Sequence, residues 1–223
     1  MRDRFEEARA LARQGWLIAR RRGRGWRDAS VHPQAPHVAF VHGFLAAGPV
    51  FDPLRAAVHA SLGAPTLDIT YGPHRDFESI AAELAERVRR EVPPGRALAI
   101  VGHSLGGLLA RWYVQELGGR AVGLVSIATP HGGAPRARRF PGSLARALRP
   151  GGRVLRRLGD SAGVPHVSIV GGRDRLVPTA SALAIRDAEV HVYDHLGHNG
   201  VLFDPAVHAR VVQALERFAD DAG

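Results

Sequence analysis

The sequence predicts an α/β protein: a mostly parallel sheet of about six strands with helices on both faces. Two observations predict it. Six short apolar runs, rich in Val and Ile and mostly without strict alternation, recur between residues 37 and 193, as strands buried on both faces do. Patterns of helical period lie between them, and right-handed crossovers place such helices on both sides of a sheet. The length, 223 residues, suits one domain with appendages.

Residues 5–22 read as a helix with Phe5, Ala8, Leu11, Ala12 and Trp16 on one apolar face. The run RRRGRGWR, then Pro33 and Pro36, end it, so residues 1–36 are expected to be a basic helix and linker ahead of a main domain at 37–223. The apolar runs of that domain are 37–41 (HVAFV), 66–71 (TLDITY), 97–101 (ALAIV), 121–127 (AVGLVSI), 166–170 (HVSIV) and 190–193 (VHVY). The clearest helix is 77–92, with Ile80, Leu84 and Val88 inward and Glu83, Glu86, Arg87 and Arg90 outward. Residues 105–117 and 205–218 are further helices, and Trp112 and Tyr113 on the first of these are expected in the core.

Composition narrows the chemistry. An apolar share of 45% excludes wholesale disorder. With no Cys, the chain has no disulfide, thiolate metal site or Cys nucleophile. The formal charge is +9, and all thirty basic residues are Arg. A uniform excess would point to nucleic acid or an anionic membrane, but this excess is local. Residues 1–30 hold nine Arg against four acids, and residues 134–160 hold eight Arg against Asp160 alone. The remainder carries 13 Arg and 16 acids, so the body of the protein is slightly acidic. Neither basic segment shows a base-reading or stacking pattern beyond Trp16 and Trp26, which argues against nucleic acid. Segments 1–30 and 134–160 either meet an anionic membrane surface or are ordinary solvated basic faces. No stretch approaches the ~20 apolar residues of a membrane span, and the start lacks a signal-peptide pattern. A cytoplasmic location is therefore expected, with membrane association through the basic segments.

In open sheets of this kind, ligands bind at the carboxyl ends of the strands. The third run ends in Gly102-His103-Ser104-Leu105-Gly106, then Gly107 and an apolar helix. This is G-x-S-x-G at a strand-to-helix turn, where the Ser backbone is strained and the flanking glycines avoid steric clash. A serine nucleophile needs a base, and the base an orienting acid, in the order Ser, acid, His. Asp174 follows the fifth run in GGRDRLVP, and His198 follows the sixth in DHLGHNG. His195 competes with His198 as base, and Asp160, Asp187 and Asp194 compete with Asp174. None of these acids directly follows a strand before a D-x-x-V-P turn. His198 opens the turn before the last helix, which favours it over His195.

Acyl transfer also needs N–H donors for a tetrahedral oxyanion. The expected pair is Leu105, next after the Ser, and Phe44, in the loop after the first run (Val41-His42-Gly43-Phe44). Gly43 would allow close backbone approach, and His42 either orients this loop or is a plain buried histidine. His131 either lines the pocket or packs its turn. No metal-ligand spacing or phosphate loop appears, and no cofactor is expected.

The motifs VHGF, VGHSLGG, ATPHGG, GGRDRLVP and LGHNG, in this order, resemble the α/β-hydrolase superfamily, most of all bacterial triacylglycerol lipases and esterases, over roughly residues 37–220. The resemblance implies Ser104 as nucleophile, Asp174 as acid, His198 as base, and the Phe44 and Leu105 N–H groups as oxyanion hole, with His42, Gly43, Gly102, His103 and Gly106 in support. It implies cleavage of carboxylic esters through an acyl-enzyme, or thioester hydrolysis or acyl transfer by the same residues. A membrane-docking scaffold without activity is the rival, and complete motif placement argues against it.

The chain departs from the family in two places. No strand pattern precedes the HG loop, so the α/β-hydrolase sheet is expected to be shortened. The loop reads HGF rather than HGGG, which by analogy suggests the simpler oxyanion loop of lipases and of acyl hydrolases acting on longer chains.

In similar lipases the stretch after the fourth strand crosses the active site as a cap. Here that stretch is 134–163, read as helix–break–helix with Leu144, Leu148, Val154, Leu155 and Leu158 on apolar faces and a break at Pro150-Gly151-Gly152. Its Arg residues are either a lipid-contacting face or an ordinary solvated one.

Overall fold

The computed structural model describes residues 2–21, 31–32, 34–72 and 74–221. Most of the expected linker, including Trp26 and Pro33, lies outside them. One sheet of six parallel strands carries the fold: β1 His37–Val41, β2 Thr66–Ile69, β3 Leu98–His103, β4 Gly123–Ile127, β5 His166–Gly171 and β6 Ala188–Tyr193. Their spatial order is β2-β1-β3-β4-β5-β6, so the chain reverses direction across the sheet between β2 and β3. All six runs are strands, with ends within two residues of expectation. The first described strand is β1, so the sheet is short among the described residues.

Successive side chains of a strand point to opposite faces, and the core divides accordingly. Ala39, Val41, Leu98 and Ile100 pack on one side with α3 (Phe77–Glu91) and α4 (Leu105–Gln115). Val38, Phe40, Ala99 and Val101 pack on the other with α2 (Asp52–Leu62) and α7 (Pro205–Asp220). The central strands β3, β4 and β5 are buried throughout, which explains their unbroken apolar runs. Trp112 and Tyr113 are in the core, as expected.

After β4 come a short 3₁₀ turn (Pro135–Arg139), α5 (Ser143–Ala147) and α6 (Arg153–Leu158). Leu144, Leu148, Val154, Leu155 and Leu158 join the core on the α3/α4 side. The break falls between Leu148 and Arg153, as the Pro-Gly-Gly predicts.

The N-terminal helix, α1, spans Arg2–Arg20, but it docks on a different face from the one its apolar pattern suggests. Phe5, Ala8, Leu11, Ala12 and Trp16 are exposed, whereas Ala10, Gln14 and Leu17 are buried. The docking contacts are mostly polar. Gln14 Nε2 donates to Asn199 Oδ1 at 2.6 Å, and Arg21, just past the helix, pairs with Asp52 and with Asp68, the latter at 2.8 Å. Arg55, 1% exposed, also pairs with Asp68, so that carboxylate joins the helix to β2 and α2.

Candidate active site

Ser104 sits between β3 and α4 with φ 54° and ψ −119°, a left-handed backbone that a non-glycine residue adopts only under tertiary constraint. Its N–H donates to Ile127 O of β4 at 2.8 Å, which fixes the turn. The neighbouring glycines are required by contact. A Cβ on Gly106 would lie 1.9 Å from Val41 O, and one on Gly102 would lie 2.5 Å from Gly106 C. The Ser104 turn is thus pressed between its own first helical turn and the end of β1.

Asp174 follows β5 and is 2% exposed. Its Oδ1 accepts the N–H groups of Leu176 and Val177 at 2.8 Å each, and its Oδ2 lies 2.6 Å from His198 Nδ1. A carboxylate only accepts, so Nδ1 carries the proton and Nε2 keeps a lone pair. His198 and Ser104 line one cavity of about 260 Å³ with Gly43, Phe44, Ala137, Ala145, Leu148 and Val177. An imidazole with a free Nε2 beside a strained serine can take a hydroxyl proton.

The rival residues lie elsewhere. His195 is exposed, 3.6 Å from Asp204. Asp160 pairs with Arg186, and Asp187 accepts from Ser161 and from the backbone of Ala162 and Gly163.

Leu105 opens α4, where first-turn N–H groups have no intrahelical acceptor. Phe44 lies in the turn after β1, and a Cβ on Gly43 before it would lie 3.0 Å from His103 Nδ1 and 3.1 Å from Ser104 Cβ. His42 orients this loop. Tyr71 N–H donates to its Nε2 at 3.2 Å, so Nδ1 is protonated and donates to Gly43 O at 2.8 Å. Tyr71 also stacks on the ring at 4.1 Å, and its hydroxyl donates to His42 O. Burial pushes the His42 imidazole down to about 4, so it stays neutral. His103 donates from Nε2 to His198 O at 2.9 Å, and burial holds it at about 3.

His131 does not line the cavity; it is buried behind the loop. Arg111 Nη1 donates to its Nδ1 at 3.3 Å, its Nε2–H donates to Ser126 Oγ at 3.1 Å, and that hydroxyl donates to His166 Nε2 at 2.9 Å. Arg111 Nη2 also donates to Leu158 O and Ser161 O at 2.7 Å each. A buried guanidinium with several N–H donors to satisfy draws the histidine inward.

The thioesterase domain family profile matches residues 36–169, more than half of the chain. The chain belongs to the thioesterase domain family of α/β-hydrolases. In this thioesterase-family chain the match covers the Phe44 loop, Ser104 and all of the 134–163 stretch, and it ends before Asp174 and His198. Solved structures share the fold at low identity. A phospholipase from Legionella pneumophila superposes with TM-score 0.72 at 15% identity, covering 84% of this chain; the chain spans 61% of that protein's length. A Bacillus licheniformis lipase gives TM-score 0.66 at 14% identity, covering 84% of this chain and 96% of that one. A Paleococcus ferrophilus monoacylglycerol lipase gives 0.64 at 16%, covering 86% and 96%. No curated protein sequence matches.

Sequence reading missed four residues beside the site of this thioesterase-family hydrolase: Glu7, Gln14, Tyr71 and Asn199. Asn199 could have been found as the neighbour of His198. The other three carry no local signal, because their contacts span 29 to 192 residues. Among the described residues, no helix is long and apolar enough to cross a membrane.

Proposed function

We propose that the chain is a serine hydrolase that cleaves carboxylic esters through an acyl-enzyme, with Ser104 as nucleophile, His198 as base and Asp174 as orienting acid. The observation that carries this reading is the 2.6 Å contact of Asp174 Oδ2 with His198 Nδ1, at the wall of the cavity that Ser104 lines. His198 Nε2 takes the Ser104 proton as Oγ attacks the ester carbonyl. The N–H groups of Phe44 and Leu105 hold the oxyanion. The tetrahedral species collapses, and the leaving alcohol takes the proton from His198. Water, deprotonated by His198, then releases the acid and restores Ser104. The test is p-nitrophenyl ester turnover with a fluorophosphonate probe: the wild type turns over and is labelled on Ser104, and Ser104→Ala does neither. Turnover retained in Ser104→Ala rejects the mechanism.

A second reading, thioester hydrolysis or acyl transfer by the same atoms, is favoured by the family match itself. Comparing kcat/KM for an acyl-CoA and for the p-nitrophenyl ester of the same acid decides between the two. Acyl-CoA turnover below that of the ester supports the first reading.

We also infer that the substrate is met at an anionic lipid surface. Leu11, Leu45, Phe140 and Leu176, each between 42% and 68% exposed, line the rim of the cavity. Arg136 lines the same cavity, Arg138 and Arg139 precede Phe140 in the chain, and these exposed arginines have no acidic partner among the described residues. Apolar contacts ringed by arginines suit an interface of anionic headgroups.

A further inference from the structure

One peptide unit, the C=O of His198 with the N–H of Asn199, is held at both ends. His103, inside the nucleophile turn, donates from Nε2 to His198 O at 2.9 Å. Glu7, on α1, accepts the Asn199 N–H on Oε1 at 3.0 Å and on Oε2 at 3.3 Å. A trans peptide is planar with its C=O and N–H opposed, so a donor on one end and an acceptor on the other fix its orientation. The Asn199 side chain repeats the tie: Nδ2 donates to Glu7 Oε1 at 2.5 Å, and Oδ1 accepts from Gln14 Nε2 at 2.6 Å. Gln14, His198 and Asn199 are all buried. The carboxylate lies directly against the preceding glycine, where a Cβ on Gly197 would come within 2.5 Å of Glu7 Oε2.

We propose that Glu7 is a positioning residue for His198: from outside the hydrolase sheet it clamps the 198–199 peptide plane against His103 and so aims the imidazole. The proposal rests on the reading of His198 as the base. That plane sets ψ of His198 and therefore the direction of its Cα–Cβ bond. The ring must meet Asp174 with Nδ1 and leave Nε2 open toward Ser104, and it has little freedom beyond its two side-chain torsions. Hydrogen bonds to a carboxylate are stronger than those to a neutral acceptor, which suits a clamp at a partly buried site. Gln14 fixes the Asn199 amide so that its Nδ2 faces Glu7. In this arrangement α1 completes the wall behind His198, and its polar docking face has a chemical reason.

The experiment measures kcat, KM and melting temperature for the full-length wild type and three variants, with p-nitrophenyl butyrate as substrate. Glu7→Ala is expected to lower kcat by about 10- to 100-fold with KM within about twofold, the scale on which misplaced catalytic groups act. Glu7→Gln keeps one oxygen that can accept both the Asn199 N–H and Nδ2, but loses the charge and sets an NH2 where Oε2 now lies, 3.3 Å from the Asn199 backbone N. Its kcat is expected about 3- to 10-fold below wild type, a partial rescue. Leu17→Ala removes apolar packing from the same helix without touching the clamp, and is expected to melt earlier while keeping kcat. Equal kcat in Glu7→Ala and wild type overturns the proposal, as does a loss of kcat in Leu17→Ala proportionate to its loss of stability. If Glu7→Ala does not fold, Glu7→Gln decides alone: wild-type kcat in that variant overturns the proposal. An inactive wild type refutes the hydrolase reading and this proposal together; an active wild type with an unreduced Glu7 variant refutes only the proposal.

Discussion

Asp174 divides its carboxylate between two tasks: Oδ2 lies 2.6 Å from His198 Nδ1, while Oδ1 accepts the Leu176 and Val177 N–H groups at 2.8 Å each. The turn therefore fixes the carboxylate independently of the imidazole. An amide has one oxygen for these two tasks. In Asp174→Asn it either keeps the turn and points an N–H at His198 or serves the histidine and frees the turn. The expected result is a fall in kcat on the order of 10³–10⁴-fold with KM little changed, read from initial rates. A loss smaller than about tenfold would show that His198 does not depend on Asp174.

The Ser104 backbone offers a test independent of turnover. At φ 54° and ψ −119° the serine carries strain that glycine would relieve, at a cost on the order of 1–3 kcal/mol in the native protein. Ser104→Gly removes that strain but adds about 0.5–1 kcal/mol of chain entropy to the unfolded state. The net expectation is an inactive protein stabilised by about 1 kcal/mol, a rise in melting temperature of roughly 2–4 °C by calorimetry. Ser104→Ala keeps the strain and is expected to melt near the wild type. A Ser104→Gly variant that melts lower would show that the turn is not strained.

Acid should loosen the fold before it unfolds it. Burial lowers His42 and His166 to about 4 and His103 to about 3. The unfolded chain binds these protons near 6.5. Above that value both states are neutral and the stability is fully present. As pH falls below it, the unfolded state gains protons that the folded state refuses, so stability declines down to the folded values. Each histidine contributes a slope of about 1.4 kcal/mol per pH unit in that window. Urea denaturation at pH 7 and pH 5 is expected to show a loss of several kcal/mol; equal midpoints would contradict neutral burial.

The parts legible in the sequence are those governed by local physics. Val- and Ile-rich runs mark buried strands, and G-x-S-x-G marks a strand-to-helix turn, so the six strands and the position of Ser104 could be read from short windows. Helix α2 gives a weaker local signal, since its eleven residues carry little beyond Leu54, Val58 and Leu62 as an apolar stripe. The docking face of α1 misled for a different reason. Periodicity assumes that apolar residues face inward, but this helix is held by Glu7, Gln14 and Arg21, whose partners lie in distant segments. For His131 the local sequence leaves pocket lining and turn packing both open, and only the fold brings Arg111 close enough to turn it inward.

Lipid docking makes the last prediction. The cavity rim exposes Leu11, Leu45, Phe140 and Leu176, and Arg138 and Arg139 stand beside Phe140 without acidic partners among the described residues. Arg153 and Arg157, by contrast, pair with Glu78 and Glu116, so their charge is balanced within the fold. Each arginine near an anionic surface contributes roughly 1 kcal/mol, so reversing two of them should weaken binding at least about tenfold. The wild type is expected to co-sediment with vesicles rich in phosphatidylserine at low salt. Binding should fall as the ionic strength rises from about 0.05 M to about 0.5 M, because the Debye length shortens severalfold over that range. The double variant Arg138→Glu/Arg139→Glu should remain in the supernatant while hydrolysing a soluble p-nitrophenyl ester at the wild-type rate, since neither side chain touches the reacting groups. Equal sedimentation with phosphatidylcholine vesicles, or binding that salt does not weaken, would place the attraction in the apolar rim alone and remove the arginines from it.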